Sequence, residues 1–313
     1  MSKRLIYPKP LIKKSTIGLI CPAGGFDDYK PVRLVTEYLK QQGFNVKVGK
    51  SIVVPNKSSK YLSGTDEMRL NDLHNFWADD AIDAIFCLRG GYGSLRLLKE
   101  INYKLIQNNP KIFIGFSDIT ALHLAIYAKT NLITFHGPLL GIRFLNTNLS
   151  PKNKTSELHM WRLLQAPKCK FSYLNRSYGS VVYPGECKGV LLGGNLTDIC
   201  SMIGSGLLPD FKNSVLFLED CNEEPYKIDR LLTQLCNAGI LASVKGVLFS
   251  SFYKCGFKNN KEIVSLLKTL LKPYKIPSVY GFPIGHGLKN YAVPVGAPVI
   301  FNANSISLNS CYN

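Results

Sequence analysis

The sequence predicts an α/β protein whose first half is built around a parallel sheet. Short, continuously apolar runs such as "IGLIC" (17–21) and "KIFIGF" (111–116) alternate with longer segments whose apolar residues recur at helical spacing. Strands that alternate with helices form parallel sheets covered on both faces, and such strands are apolar throughout. The length of 313 residues is enough for two domains of ordinary size.

The first half contains five predicted strands and four predicted helices in alternation. Thr65 is a typical N-cap for the second helix, and Gly43 is a typical residue to end the first. The strands are expected at 16–23, 45–54, 82–91, 111–116 and 132–137, and the helices at 29–43, 65–80, 92–101 and 119–130.

The pattern loosens after residue 142, which predicts a division into domains. Residues 143–186 are polar and rich in turn-forming residues, as in "NTNLSPKNKTSE", and are interpreted as a linker. An N-terminal parallel-sheet domain is therefore expected over 1–142, and a smaller, mixed α/β domain over 187–313. The second domain has predicted strands at 214–220, 244–252, 276–284 and 297–309, and predicted helices at 226–239 and 260–272.

The net charge of +17 raises the possibility of an anionic partner. However, the 38 Lys and Arg residues are spread along the chain and accompany no recognised nucleic-acid-binding motif. We therefore expect a solvated basic surface and no nucleic-acid partner.

Two compositional features bear on cellular location. No run approaches the roughly 20 apolar residues of a membrane-spanning helix, and prolines and lysines interrupt the N-terminal segment where a signal peptide would be apolar. The nine cysteines are scattered without a CxxC motif, which argues against a disulfide framework or a structural zinc site. We expect a cytoplasmic protein with reduced thiols and no membrane partner.

Ser117 lies where a predicted buried strand runs directly into a predicted helix, in "GFSDI". Such a turn exposes a hydroxyl above the sheet and aims the N–H groups of the next helix at the same point, as a nucleophile requires. The hydrolase elbow G-x-S-x-G is not complete here, because the second glycine is missing. From the local pattern alone a helix-capping serine is the favoured interpretation, and both interpretations stay open.

Two further polar clusters follow predicted strands of the first half. They are the glycine-rich "RGGYGS" (89–94) and the pair His136-Gly137, and with Ser117 they should face one crevice beyond the carboxyl ends of the strands. Consecutive glycines let backbone N–H groups approach an anion, but they are also typical of a tight strand-to-helix turn.

A nucleophilic serine would need a base and an acid to orient that base. His136, at a strand end, and His286, on the glycine-flanked loop "GFPIGHGLKN", are the candidates, and the residues alone do not choose between them. The other three histidines, at 74, 123 and 159, lie within helical patterns and are interpreted as structural. Glu219 ends the apolar strand "SVLFLED", where an unpartnered carboxylate would be costly.

Several motifs together resemble the LD-carboxypeptidases, serine peptidases of muropeptide recycling. They occur in the family's order between about Ile17 and Gly296: "YLSGTDEMRLNDLHNFW", "LRGGYGSLRLL", "FIGFSDITALHLAI…TFHGP", "GVLLGGNLTDI", "LFLEDCNEEPYKIDRLLTQL" and "GFPIGHGLKNYAVPVG". The resemblance implies a catalytic triad of Ser117, Glu219 and His286 in a cleft between the two domains. His136 would then be a structural neighbour of the site.

The resemblance also implies how a substrate is held and cleaved. The backbone N–H groups of Gly91 and Asp118 would form the oxyanion hole, and Arg89 and Arg230 are candidates to bind substrate carboxylates. The expected substrate is a murein tetrapeptide that loses its terminal D-alanine through an acyl-enzyme, with no metal or other cofactor. A homodimer is a common state in the family.

Two alternatives to this function remain. A related branch of the family hydrolyses microcin-type peptidyl-nucleotides and gives self-immunity, although its members are usually longer. The glycine-rich turns could instead belong to a nucleotide-binding module without catalytic activity.

Overall fold

Two sheets, of six and eight strands, organise the protein in a computed structural model. The structure describes residues 4–52, 61–141, 151–168, 170–174, 179–287 and 289–311. The fold is α/β with a parallel sheet in the first half, as the sequence predicts.

The six-stranded sheet has the order β12-β5-β4-β3-β1-β2. Strands β1 to β5 pair in parallel, whereas β12 pairs antiparallel with β5. The strands are Thr16–Ile20 (β1), Asn45–Val48 (β2), Ala84–Cys87 (β3), Ile112–Gly115 (β4), Thr134–His136 (β5) and Val293–Val295 (β12). The helices of this half are Lys30–Gln41 (α1), Asp66–Ala78 (α2), Tyr103–Asn108 (α3) and Thr120–Thr130 (α4).

The eight-stranded sheet has the order β6-β14-β13-β8-β9-β10-β11-β7. Its centre, β8 to β11, is parallel, and both margins are antiparallel. The strands are Ser172–Leu174 (β6), Ser180–Tyr183 (β7), Glu186–Asn195 (β8), Ser214–Cys221 (β9), Gly246–Tyr253 (β10), Ser278–Phe282 (β11), Pro298–Asn302 (β13) and Ser307–Ser310 (β14). The helices are Pro151–Gln165 (α5), Leu196–Met202 (α6), Pro225–Asn237 (α7), Ile240–Ser243 (α8) and Asn260–Leu271 (α9).

Two helix ends lie where the sequence predicts them. Thr65 Oγ1 accepts a hydrogen bond from Met68 N at 3.2 Å and caps α2, and Gly43 follows α1 with φ +90°. The predicted helix over 92–101 is wrong: only Ser94–Arg96 form a short 3₁₀ turn. Gly93, which precedes this turn, has φ +130°, a conformation that a helix does not contain.

The predicted linker and the predicted strand over 45–54 both differ from the structure. Residues 151–165 form one long helix, and β6 and β7 join the eight-stranded sheet, so the described parts of 143–186 are not merely a connection. The predicted strand over 45–54 ends at Val48, and residues 53 and 54 lie outside the described residues. The boundaries of the two domains stay a prediction.

No helix of the described residues is long and apolar enough to cross a membrane. The eight cysteines among these residues are free thiols.

The two sheets approach each other closely where β8 meets the start of α4. The main-chain N–H of Asn195 donates to Thr120 Oγ1 at 2.9 Å, and both groups are buried. Gly194 allows this approach, because a Cβ on it would lie 2.3 Å from Thr120 Oγ1. The sequence "LLGGN" therefore fits β8 against the helix that follows Ser117.

We expect Gly194→Ala to destabilise the protein by about 3 kcal/mol, since the new methyl group overpacks this contact and Gly194 has φ +145°. Gly204→Ala is the matched control, because Gly204 also has positive φ but has no atom within 4 Å of a built Cβ. It should lose only about 1 kcal/mol. Urea unfolding of both variants tests this expectation, and equal losses would contradict it.

Candidate active site

A cleft of about 560 Å³ opens between the carboxyl ends of the first sheet and loops of the second half. The glycine turn after β3 and the Ser117 turn after β4 both line it, as predicted, whereas the third predicted cluster, His136-Gly137, is not among the described lining residues. The lining segments are 89–91, 116–117, 138–140, 156–157, 221–222, 285–287 and residue 290.

Ser117 begins a 3₁₀ turn that connects β4 to α4, and its backbone is in the left-handed region with φ +64°. This conformation costs a residue with a side chain roughly 1–2 kcal/mol. Neither the turn nor α4 has a side-chain cap, and Ser117 Oγ has no hydrogen bond to another described residue. The interpretation of Ser117 as a helix cap is therefore wrong.

Gly90 shapes the wall beside Ser117. A Cβ on Gly90 would lie 2.9 Å from Ser117 Cβ and 3.1 Å from Ser117 Oγ. The N–H of Gly91, the next residue, has no acceptor among the described residues and φ is +101°. The glycine turn thus brings a free main-chain donor to the neighbourhood of the serine hydroxyl.

Glu219 and His286 form a buried hydrogen-bonded pair at the other side of the cleft. The Nδ1 of His286 lies 2.5 Å from Glu219 Oε2, and the main-chain N–H of His286 donates to the same oxygen at 3.3 Å. The Glu219 side chain is fully buried, whereas that of His286 is 19% exposed. Bonding through Nδ1 turns the Nε2 edge of the ring away from the glutamate. His286 and Ser117 line the same cleft without a direct hydrogen bond between them.

The loop that carries His286 is held by two contacts. Gly285 has φ +87°, and a Cβ there would lie 2.5 Å from Glu219 Oε2. The N–H of Gly285 donates to Asn290 Oδ1 at 2.9 Å, and Asn290 N donates to Ser156 Oγ at 3.0 Å. Asn290 Nδ2 is buried without a hydrogen-bond partner among the described residues.

The surroundings of His286 favour its charged form. Burial lowers its pKa, but the neighbouring Cys221 and the hydrogen bond to Glu219, together with the glutamate charge, outweigh burial and raise the pKa to about 10. Cys221 lies at the end of β9, two residues after Glu219, and lines the cleft. Sequence reasoning missed Cys221 and Asn290, although both lie within five residues of a predicted site residue.

Asp220, the residue after Glu219, accepts hydrogen bonds that hold the surrounding structure together. Its Oδ1 accepts from Asn195 Nδ2 at 3.1 Å and from Cys221 N at 2.8 Å. Its Oδ2 accepts from Thr197 N at 3.0 Å and Thr197 Oγ1 at 2.8 Å, which ties β9 to the start of α6. Burial raises the pKa of Asp220, and these bonds oppose that shift.

Two more carboxyl groups lie buried near the pair. Asp118 Oδ2 accepts from Ser94 N at 2.8 Å and so ties the serine turn to the turn after the glycines. Burial raises the pKa of Asp118. Burial, followed by the charges of Asp118, Asp220 and Glu219, raises the pKa of Asp198 well above its usual range.

The two other histidines of this region, His123 and His136, are buried, and burial favours their neutral forms. His123 is buried and contacts Thr134 Oγ1 at 2.8 Å and Gly115 O at 2.9 Å, and burial lowers its pKa to about 4. His136 is fully buried among aromatic rings, and burial lowers its pKa well below the usual range. It is not among the cleft-lining residues.

Of the two arginines predicted to bind substrate carboxylates, Arg89 lies in the cleft and Arg230 is not among its described lining residues. Arg89 is half-buried in the cleft wall, where its guanidinium donates to Gly25 O and lies 5.9 Å from the centre of the Phe26 ring. Arg230 lies exposed on α7 over the ring of Tyr226 and is not among the described cleft-lining residues. The structure thus brings Arg89 to the cleft and leaves Arg230 outside it. No group of three or more metal-binding side chains is found among the described residues.

Comparison with known proteins identifies the family of this chain. The family model described as "LD-carboxypeptidase N-terminal domain" matches residues 17–137, and "LD-carboxypeptidase C-terminal domain" matches residues 188–301. The chain belongs to the LD-carboxypeptidase family. It is 37% identical to the "Probable murein peptide carboxypeptidase" of Bacillus subtilis over 300 residues, which covers 94% of this chain and 91% of that protein.

Solved structures of two differently named proteins share the fold of this LD-carboxypeptidase family member. The microcin C7 self immunity protein MccF, in complex with aspartyl sulfamoyl adenosine, matches with a TM-score of 0.87 and 25% identity over 98% of this chain and 99% of that chain. The muramoyltetrapeptide carboxypeptidase of Oxalobacter formigenes matches with a TM-score of 0.80 and 25% identity over 94% of this chain and 97% of that chain.

The raised pKa of His286 gives a direct test of the site's electrostatics. We expect the His286 pKa to lie well above its ordinary value, near 10, and Cys221→Ala to lower it because the contribution of the neighbouring Cys221 is lost. Since the folded-state pKa exceeds the ordinary 6.5, the pair stabilises the fold fully below pH 6.5 and loses this contribution as pH rises towards 10.

NMR titration of the parent and of Cys221→Ala provides the measurement. Cys311→Ala is the control, because Cys311 is partly exposed and follows β14 rather than lining the cleft. A His286 pKa near 6.5 in the parent would contradict the expectation.

Proposed function

We propose that this protein is a serine LD-carboxypeptidase that removes the terminal D-alanine from murein tetrapeptides. The observation that carries the proposal is the Glu219–His286 hydrogen bond, which orients the imidazole on a cleft that Ser117 also lines. Family membership and the murein peptide name of the Bacillus relative support the substrate class.

The proposed reaction uses the neutral form of His286, whose share grows as the pH rises towards its raised pKa, and begins with proton transfer from Ser117 Oγ to the unprotonated Nε2. The serine oxygen attacks the carbonyl carbon of the scissile amide, and a tetrahedral intermediate forms. His286 then protonates the leaving nitrogen, D-alanine departs, and the shortened peptide stays esterified to Ser117. Water, deprotonated by His286, hydrolyses this ester and restores the serine. Glu219 holds the Nδ1–H tautomer and stabilises the imidazolium that forms in both halves.

The oxyanion would be stabilised by main-chain donors. We assign this role to the N–H groups of Gly91 and Asp118, which follow the two turns that meet at Gly90 and Ser117. Arg89, in the cleft wall, is the proposed partner for a substrate carboxylate, and a guanidinium is suited to this task because it can bind both oxygens. We further propose a homodimer, a common state in the family, and a cytoplasmic location.

A second candidate function is hydrolysis of a microcin-type peptidyl-nucleotide amide. The fold match to MccF, whose structure holds aspartyl sulfamoyl adenosine, supports it. The same serine, histidine and glutamate would serve both reactions, so only the leaving group distinguishes the two functions.

Comparison of Glu219→Gln with Asp220→Asn tests which of the two carboxylates is catalytic and which is structural. Glu219→Gln should lower kcat by about 10³–10⁴ with little change in stability, because the amide does not stabilise the imidazolium. Asp220→Asn should lose about 1–3 kcal/mol of stability and less activity, since it disturbs the bonds from Thr197 and Asn195. Steady-state kinetics and urea unfolding of both variants test this assignment, and equal losses of kcat would count against it.

D-alanine release from a murein tetrapeptide is the direct test of the function. The intact protein should release it and Ser117→Ala should not, while circular dichroism shows the same fold for both. Release by both would remove Ser117 from its role. If neither releases D-alanine but the parent cleaves a peptidyl-nucleotide amide, the second candidate function is the correct one.

A further inference from the structure

Two exposed tyrosines form a pair that the proposed chemistry does not use. Tyr61 is 59% exposed and Tyr92 is 46% exposed, although large aromatic side chains are usually mostly buried. Their ring centres are 5.8 Å apart and the rings are inclined by 60°. We call Tyr61 and Tyr92 the tyrosine platform.

The tyrosine platform is attached to the rim of the cleft. Tyr92 directly follows Gly91, which lines the cleft. Tyr61 is held to the same turn through Gly24: the N–H of Gly24 donates to Gly90 O at 2.9 Å, and a Cβ on Gly24 would lie 3.3 Å from Tyr61 O. Both rings therefore stand on backbone that packs around the glycine turn.

Polar groups stand next to the platform. Arg96 forms an ion pair with Asp66, with Nη2–Oδ2 at 2.7 Å, and both side chains are partly exposed. Arg96 follows Tyr92 by four residues and Asp66 follows Tyr61 by five, so the ion pair lies close to both tyrosines along the chain. The surface thus combines apolar ring faces with donors and acceptors at their edge.

We propose that the tyrosine platform binds the saccharide ring of a muramoyl peptide, at the end opposite to the scissile bond. Aromatic faces stack on the C–H faces of pyranose rings, and the neighbouring ion pair can bond to sugar hydroxyl and N-acetyl groups. This inference rests on the proposed function, because it extends the substrate of that same cleft.

The length of the substrate fits this placement. Three residues separate the sugar from the bond to the fourth, and an extended chain of three α-linked residues spans about 10 Å. Gly90 packs directly on Ser117, and the Cα of Tyr92 lies at most about 7 Å further along the chain. A tetrapeptide whose last bond lies at Ser117 is therefore long enough to carry its sugar to Tyr92.

The test compares an N-acetylmuramoyl tetrapeptide with the free tetrapeptide as substrates. For the parent, the KM of the sugar-bearing substrate should be about fivefold lower, with similar kcat. Tyr61→Ala should remove this difference by raising the KM of the sugar-bearing substrate only. Tyr61→Phe should restore the difference, since it keeps the ring. The matched control is Tyr226→Ala, because Tyr226 is also 59% exposed but lies on α7, outside the described cleft lining.

Other outcomes would overturn the inference. Cleavage of both substrates by the parent with equal KM leaves the proposed function intact and removes the sugar site. Absence of cleavage of either substrate rejects the proposed function and the inference with it. Competitive inhibition by adenosine monophosphate that is lost only in Tyr61→Ala would assign the platform to a nucleobase. A change of oligomeric mass in Tyr61→Ala, with KM unchanged, would make it a contact between two copies.

Discussion

The bond between Asn195 N and Thr120 Oγ1 joins the strand and the helix on which the site depends. Thr120 follows Ser117 by three residues, and Asn195 donates through its side chain to Asp220, the neighbour of Glu219. A short path of hydrogen bonds therefore connects the serine turn to the glutamate strand. A Cβ on Gly194 would lie 2.3 Å from Thr120 Oγ1, so β8 approaches α4 this closely only with glycine at that position.

The electrostatics of the site depend on which hydrogen-bond partners stabilise the charge of each buried carboxylate. Glu219 is compensated by one group, His286, and its Oε1 has no hydrogen-bond partner among the described residues. Asp220 is compensated by four hydrogen bonds that leave no oxygen for the imidazole. The two adjacent acids thus differ in what they can do: one polarises a histidine and the other fixes backbone. This difference is a property of the three-dimensional surroundings, since the two residues are neighbours in the chain.

The sequence was sufficient for much of the fold and for bringing the site residues together. Continuous apolar runs predicted four parallel strands of the first sheet, β1, β3, β4 and β5, and the strand-end rule predicted that the turns at Gly90 and Ser117 share a crevice. The choice of His286 over His136 came from family motifs, because burial of a strand-end histidine cannot be read from its immediate neighbours.

Other features depend on contacts that have no local signature. The short turn at Ser94 follows Gly93, whose φ is +130°. Arg230 lies on the exposed side of α7, whose buried residues are Ile228, Leu232 and Leu235. Cys221 acquires its place beside His286 only when a loop more than 60 residues later folds back. Patterns along the chain do not contain these relations.

The edge position of β12 has a consequence for the order in which the protein can be completed. This strand covers the outer edge of β5, yet it is made about 150 residues later. At a synthesis rate of about 5–20 residues per second, the edge at His136 stays without its partner for roughly 10–30 s. During that time the first sheet offers unpaired main-chain groups to any other extended segment. The nascent chain is thus exposed to mispairing at this edge until its last strands leave the ribosome.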